Sequence, residues 1–215
     1  MLSDENLEQG SEAWRLARCG SLGASSIHRA LARTRSGWGA ERANVMAEMV
    51  VERLTGRPRQ GFVSAAMQWG TDMEPEARNV YSMSAGVLIE QVGIIRHPSI
   101  AGTHASPDGY VGGDGLVEIK CPESAQHLAT LLGEKPAERY LLQCLWQMEC
   151  TGRQWCDLVS YDPRFPADMA MHVTRIERDV HTARLAEVRA EVKAFLDEVS
   201  VKIDTVLSTY RQENG

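Results

Sequence analysis

Apolar positions between residues 11 and 85 recur at helical spacing, and beyond Gly86 the pattern shortens to runs of strand length. The first stretch predicts helices at Ser11–Arg18, Ser25–Arg33, Ala40–Leu54 and from Phe62 to about Ser84, with Gly and Pro between them. Apolar runs bounded by Gly or Pro then predict strands at Val87–Glu90, Gly93–His97, Gly102–Ala105, Tyr110–Val111 and Leu116–Lys120, as in a meandering sheet. Helices return at Ser124–Leu132 and Ala137–Thr151, followed by strands at Gln154–Tyr161 and Met169–Ile176. A long amphipathic helix from about Val180 to Tyr210 closes the chain, with a stripe of Leu185, Val188, Val192, Phe195, Val199, Ile203, Val206 and Leu207. This order predicts an α/β fold in which a mixed central sheet is flanked by helices, built as a single domain over residues 1–215.

Composition leaves that picture intact, since 43% hydrophobic and 24% charged residues are ordinary for a globular chain. No stretch approaches the roughly 18 apolar residues of a membrane span. The acidic start (Asp4, Glu5, Glu8, Glu12) lacks the basic and apolar regions of a signal peptide, so a cytoplasmic protein is expected. Five cysteines without a C-x-x-C pair read as free thiols, and the gaps between Cys144, Cys150 and Cys156 match no common zinc spacing. The six His form no metal-binding motif; His104 alone lies near the candidate chemistry described next.

Charge changes the picture more. The net charge of −6 argues against nucleic acid, but residues 15–59 hold nine Arg, no Lys and three acids (Glu41, Glu48, Glu52). Arg carries a rigid fork that fits phosphate oxygens, so a local Arg field on an acidic chain points to focal phosphate contact, against the blander reading of a solvated helix face.

The sharpest chemistry lies in Ser106-Pro107-Asp108-Gly109 and Leu116-Val117-Glu118-Ile119-Lys120-Cys121-Pro122. Side chains two apart on a strand share a face, so Glu118 and Lys120 point one way while Ile119 enters the other layer. The Gly-rich stretch between them predicts a hairpin that returns Asp108 to the side of Glu118. Two carboxylates and an amine at one point suit a hard divalent cation and a water that must be directed. This is the PD-(D/E)xK nuclease pattern, whose blander alternative is a strand-end salt bridge.

Several blocks in one order resemble the lambda-exonuclease family of viral-recombinase alkaline exonucleases: Trp14…Arg18-x-Gly20, Ala24-Ser25, Ser36-Gly37, Trp69-Gly70, Glu74…Ala77-Arg78, the two segments above, Gln143, Tyr161-Asp162-Pro163-Arg164 and Ile176-Glu177-Arg178-Asp179. The resemblance implies a restriction-endonuclease-like core, a ring-shaped homotrimer, and 5′→3′ degradation of one strand of duplex DNA with Mg²⁺, Mn²⁺ substituting and two ions per site. It implies that Asp108, Glu118 and the backbone carbonyl of Ile119 hold metal, that Lys120 directs the water, and that Glu74 and Gln143 complete the catalytic set. Arg18, Ser25 and Ser106 correspond to a grip on the 5′-terminal phosphate, and Met67 to an apolar wedge between the end base pairs. Ser25 also reads as a helix N-cap, Glu74 as a helix-start acid and Met67 as core. A phage or prophage recombination enzyme working with a single-strand annealing protein is the expected biology. An endonuclease on the same core, or an inactive DNA-end-binding scaffold, are the alternatives.

Overall fold

The structure, a computed structural model, describes residues 4–213 except Gln60 and Phe62. Its elements are α1 (Glu12–Arg18), β1 (Leu22–Gly23), α2 (Ile27–Ala30), β2 (Arg33–Thr34), β3 (Gly37–Trp38), α3 (Ala40–Thr55), α4 (Ala65–Ala85), β4 (Ile89–Glu90), β5 (Ile95–Arg96), β6 (Thr103–Ala105), β7 (Gly109–Val111) and β8 (Gly115–Lys120). They continue with α5 (Ser124–Leu131), α6 (Glu138–Thr151), β9 (Trp155–Tyr161), β10 (Met171–Glu177) and α7 (Thr182–Glu213). The result is the mixed α/β architecture expected, with a long C-terminal helix.

The five-stranded sheet has the order β10-β9-β8-β7-β4, and within it only β8 and β9 run parallel. That parallel pair needs a crossover, which α5 and α6 supply. Gly115 lies opposite Trp155 in this pair, and a Cβ there would meet the Trp155 ring at 2.1 Å, so only glycine lets the strands register. Along β8 the side chains alternate as the sequence predicts. Val117 and Ile119 pack with Ala77 and Tyr81 of α4 on one face; Leu116 packs with Cys144, Leu145 and Met148 of α6 on the other. Helix α6 is the spine of the molecule. It also packs with α2, α3 and α7 in a second core, and Trp146 Nε1 donates to Thr103 Oγ1 at 2.9 Å to satisfy its one polar atom. Each fully buried Leu or Met here stabilises by about 1.5–3 kcal/mol. Gly152, at φ 73°, turns the chain out of α6 toward β9.

Four expectations need correction. The predicted meander splits: β5 and β6 pair with β1 in a separate three-stranded sheet, in the order β1-β6-β5. The helix expected at Ser25–Arg33 shrinks to a 3₁₀ turn (Ala24–Ser26) and α2, because Arg33 and Thr34 instead pair with Gly37 and Trp38 across a tight turn. The Thr34 hydroxyl sustains that turn through Ser36 and the Gly37 carbonyl. Ser25 is exposed and caps neither helix, so its N-cap reading falls. The start of α4 is set by Ser64, whose Oγ accepts from the Met67 amide at 3.2 Å; the expected start at Phe62 lies outside the described residues.

Candidate active site

Strand β8 delivers Glu118 and Lys120 to the α6 face of the sheet, and the β7–β8 hairpin sets Gly109 opposite Val117. Asp108 therefore stands beside β8, and its Oδ2 accepts from the Ile119 amide at 2.6 Å. Lys120 Nζ lies 2.5 Å from Glu118 Oε1. The same oxygen accepts from Gln143 Nε2 at 2.6 Å, and the other, Oε2, accepts from Gln147 Nε2 at 2.5 Å. Glu118 is thus a buried carboxylate that accepts from three donors, two on Oε1 and one on Oε2.

Gln143 stands where the sequence puts it. Gln147 was not singled out there, although two amides four apart on an otherwise apolar helix are its signature. Glu74 enters from α4 on the opposite side and is ion-paired with Arg78 one turn on. It sits next to Pro75 in the helix interior, so the helix-start reading is excluded. Pro75 has no N–H to donate back along the helix, which leaves the chain locally unsatisfied at this position.

The electrostatics of the group are one-sided. Burial first, then the charges of Glu118 and Glu74, push the Asp108 carboxyl well above the usual range. Glu74 is also raised, by burial and by Glu118, with Arg78 and Lys120 opposing. Burial works against the Lys120 charge, but Glu118 and Asp108 outweigh it and hold the ammonium charged. Cys121, next in the chain, is pushed up to about 12 by burial, then by Glu74 and Asp108.

Among the described residues, no three His, Cys, Asp or Glu side chains converge closely enough to hold an ion by themselves. In this arrangement Glu118 is paired with Lys120 and Glu74 with Arg78. The donor set fits a hard divalent cation all the same: burial first, then neighbouring carboxylate charge, raises Asp108 and Glu74 beside the oxygens of Glu118, and a cation placed among them relieves both effects.

A cavity of about 140 Å³ adjoins this group and is lined by Arg18, Ser25, Ser106, Trp14, His104, Gln143 and Gln147 among others, with no carboxylate in its wall. All three residues expected to grip a phosphate border it. The Ser106 hydroxyl and the Trp14 indole nitrogen are buried and have no hydrogen-bond partner among the described residues. Arg18 stacks 3.9 Å over the Trp14 ring, and its Nε donates to His104 Nε2 at 3.0 Å. That bond leaves the His104 proton on Nδ1, which faces Ser21 Oγ at 2.8 Å. Burial, then Arg18 and Arg96, lower His104 to about 3, so the imidazole is neutral and serves to orient Arg18. Arg18 is lowered to about 10 by burial, against the pull of Glu52, and stays charged at neutral pH. Unpaired buried donors around one cation make an anion pocket.

Met67 is 58% exposed on the first turn of α4, which removes its core reading. The Arg field behaves differently from its sequence. Arg29 and Arg59 pair with Glu48 of α3, Arg33 with Glu191 and the buried Arg42 with Glu198 of α7, so acids of these two helices pair four of the nine.

Comparison with known proteins places the chain in one neighbourhood. The model of a YqaJ-like viral recombinase domain matches residues 13–154. Among solved structures, an alkaline exonuclease (LHK-Exo) from Laribacter hongkongensis is 46% identical, covers 94% of this chain and 99% of its own, and superposes with a TM-score of 0.87. LHK-Exo in complex with dAMP gives the same figures. A phage related exonuclease from Haemophilus somnus 129PT shares the fold at 14% identity, with a TM-score of 0.62 over 88% of this chain and 96% of its own. No curated protein matches.

Proposed function

This chain belongs to the family of YqaJ-like viral recombinase domains, and on that premise we propose that it is a Mg²⁺-dependent 5′→3′ exonuclease of double-stranded DNA that releases 5′-mononucleotides. The observation that carries the reading is the position of Gln143, which binds Glu118 and also lines the carboxylate-free pocket of Arg18 and Ser106. One side chain joins a hydrolytic cluster to an anion pocket, as an enzyme cutting one step in from a phosphorylated end requires. The mononucleotide dAMP seated on a relative 46% identical supports the same product class.

Asp108, Glu118 and the Ile119 carbonyl would hold the metal, with Glu74 contributing a further carboxylate. When bound, such an ion polarises the phosphoryl group and offsets charge on the attacking and leaving oxygens. The protein's own residues do the rest. The Lys120 ammonium donates to the attacking water and aims it at phosphorus in line with the leaving oxygen. Gln143 and Gln147 keep Glu118 from rotating out of reach. Arg18, Ser25 and Ser106 take the terminal phosphate, and after each cleavage the new 5′-phosphate moves into their pocket. Met67, exposed on the first turn of α4, parts the end base pair. The remaining 3′ strand is the substrate of a single-strand annealing protein, and the enzyme works as a homotrimer around its duplex in a bacterial host cell, as a phage or prophage product.

A linear duplex labelled on one 5′ end, beside a covalently closed circle, tests this. Labelled mononucleotide from the linear DNA, with the circle intact in Mg²⁺, is expected. Nicking or cleavage of the circle establishes an endonuclease instead, and no release from either establishes an end-binding scaffold.

A further inference from the structure

Helix α6 does more than fill the core. Tyr140, Gln143 and Gln147 lie three and four residues apart, so they share the face of the helix turned toward β8. Two of them are accounted for by the oxygens of Glu118. The third faces the other end of the Glu118-Ile119-Lys120 segment: Lys120 Nζ lies 5.3 Å from the centroid of the Tyr140 ring. The ring is itself held, by Arg139 Nη2 donating to the phenol oxygen at 2.9 Å and by packing against the core of Leu116 and Leu145.

We propose that Tyr140 is a positioning residue for Lys120, its ring face fixing the ammonium in the attitude from which it directs the water. The inference rests on the hydrolytic role given to Lys120 above. A lysine has a flexible four-carbon stem, and an ion pair to Glu118 alone would let Nζ swing wherever that carboxylate leads. The face of an aromatic ring attracts a cation without consuming an N–H. Held between carboxylate and ring, Lys120 keeps donor capacity for the water and the phosphoryl oxygen. A residue there that was merely apolar would pack against Leu116 equally well and leave the ammonium unguided. The α6 face thus reads both charged side chains of the β8 segment, one through amides and one through a π cloud.

The test keeps shape constant and varies the π charge. Tyr140→Phe is the reference, and successive fluorination of that Phe drains the ring face with little change of size. On a 5′-phosphorylated linear duplex, kcat falls stepwise along the series, by about five- to tenfold at full fluorination. KM and the preference for a 5′-phosphate stay constant, because Arg18 is untouched. Tyr140→Leu reaches a similar kcat. A flat kcat across the fluorinated series overturns the proposal, and so does a loss that follows the melting temperature instead of the fluorine count. Lys120→Ala in parallel separates the two claims. If it still hydrolyses, the role of Lys120 fails; if it is inactive while the series is flat, only the role of Tyr140 fails.

Discussion

Replacing Lys120 by Ala is expected to lower mononucleotide release by about 10²–10⁴-fold while duplex ends still bind. The argument starts from burial. Glu118 is almost wholly enclosed, and removing its cation would ordinarily strand a charge in the core. Here two amide donors remain on it, Gln143 on one oxygen and Gln147 on the other, so the fold and the site survive the change. What disappears is the ammonium to which the proposed function gives the aiming of the water. On the proposed function, end binding rests on the Arg18, Ser25 and Ser106 pocket as well, so it outlasts the loss of one amine. Rapid-quench release of labelled nucleotide, with end binding by fluorescence anisotropy, reads both quantities. Hydrolysis within a few-fold of the parent would remove Lys120 from the chemistry.

The second large effect concerns which ends are cut. Arg18→Ala is expected to reduce the preference for 5′-phosphate over 5′-hydroxyl ends by about 10- to 100-fold, the worth of a charge-assisted contact of about 1.5–3 kcal/mol. Among the described residues Arg18 is the one cation in the wall of its pocket and no carboxylate lines that wall, Glu52 acting on it from outside. His104 fixes its Nε, leaving the rest of the fork turned toward the cavity where Ser106 waits without a partner. Arg18→Lys keeps charge but loses the fork and falls between the two. Competition between phosphorylated and hydroxyl ends in one tube measures the ratio directly, and an unaltered ratio would place the phosphate grip elsewhere.

Much of this site was legible in the sequence because strand geometry is local. The two-residue spacing of Glu118 and Lys120 fixes a common face, and the glycines after Asp108 bring it back beside Ile119. What escaped depends on packing between distant segments. Gln147 matters because α6 lies over β8, and a helix pattern alone does not say which strand it covers. The Arg field looks free until α7 folds Glu191 and Glu198 against it, about 150 residues away in sequence. The β2–β3 hairpin was hidden inside a helical pattern, where two strand residues on each side give too short an alternation to compete. Ser25 shows the opposite error: its residue type promised a cap, but the chain enters the helix through a 3₁₀ turn that leaves the hydroxyl open to the cavity. The convergence expected of the carboxylates is also looser than the spacing implies: among the described residues no three acidic, His or Cys side chains gather closely enough to hold an ion, and Glu118 and Glu74 are each ion-paired.

The central claim is that Asp108 and its neighbours form a seat for a divalent cation. Titrating Mn²⁺ into the intact protein and into Asp108→Ala, with free Mn²⁺ followed by electron paramagnetic resonance, tests it without reference to activity. The account predicts that the intact chain takes up Mn²⁺ and that the variant's affinity drops by at least about tenfold, the loss of one charged ligand. Equal uptake by the two proteins, or none by either, would contradict it.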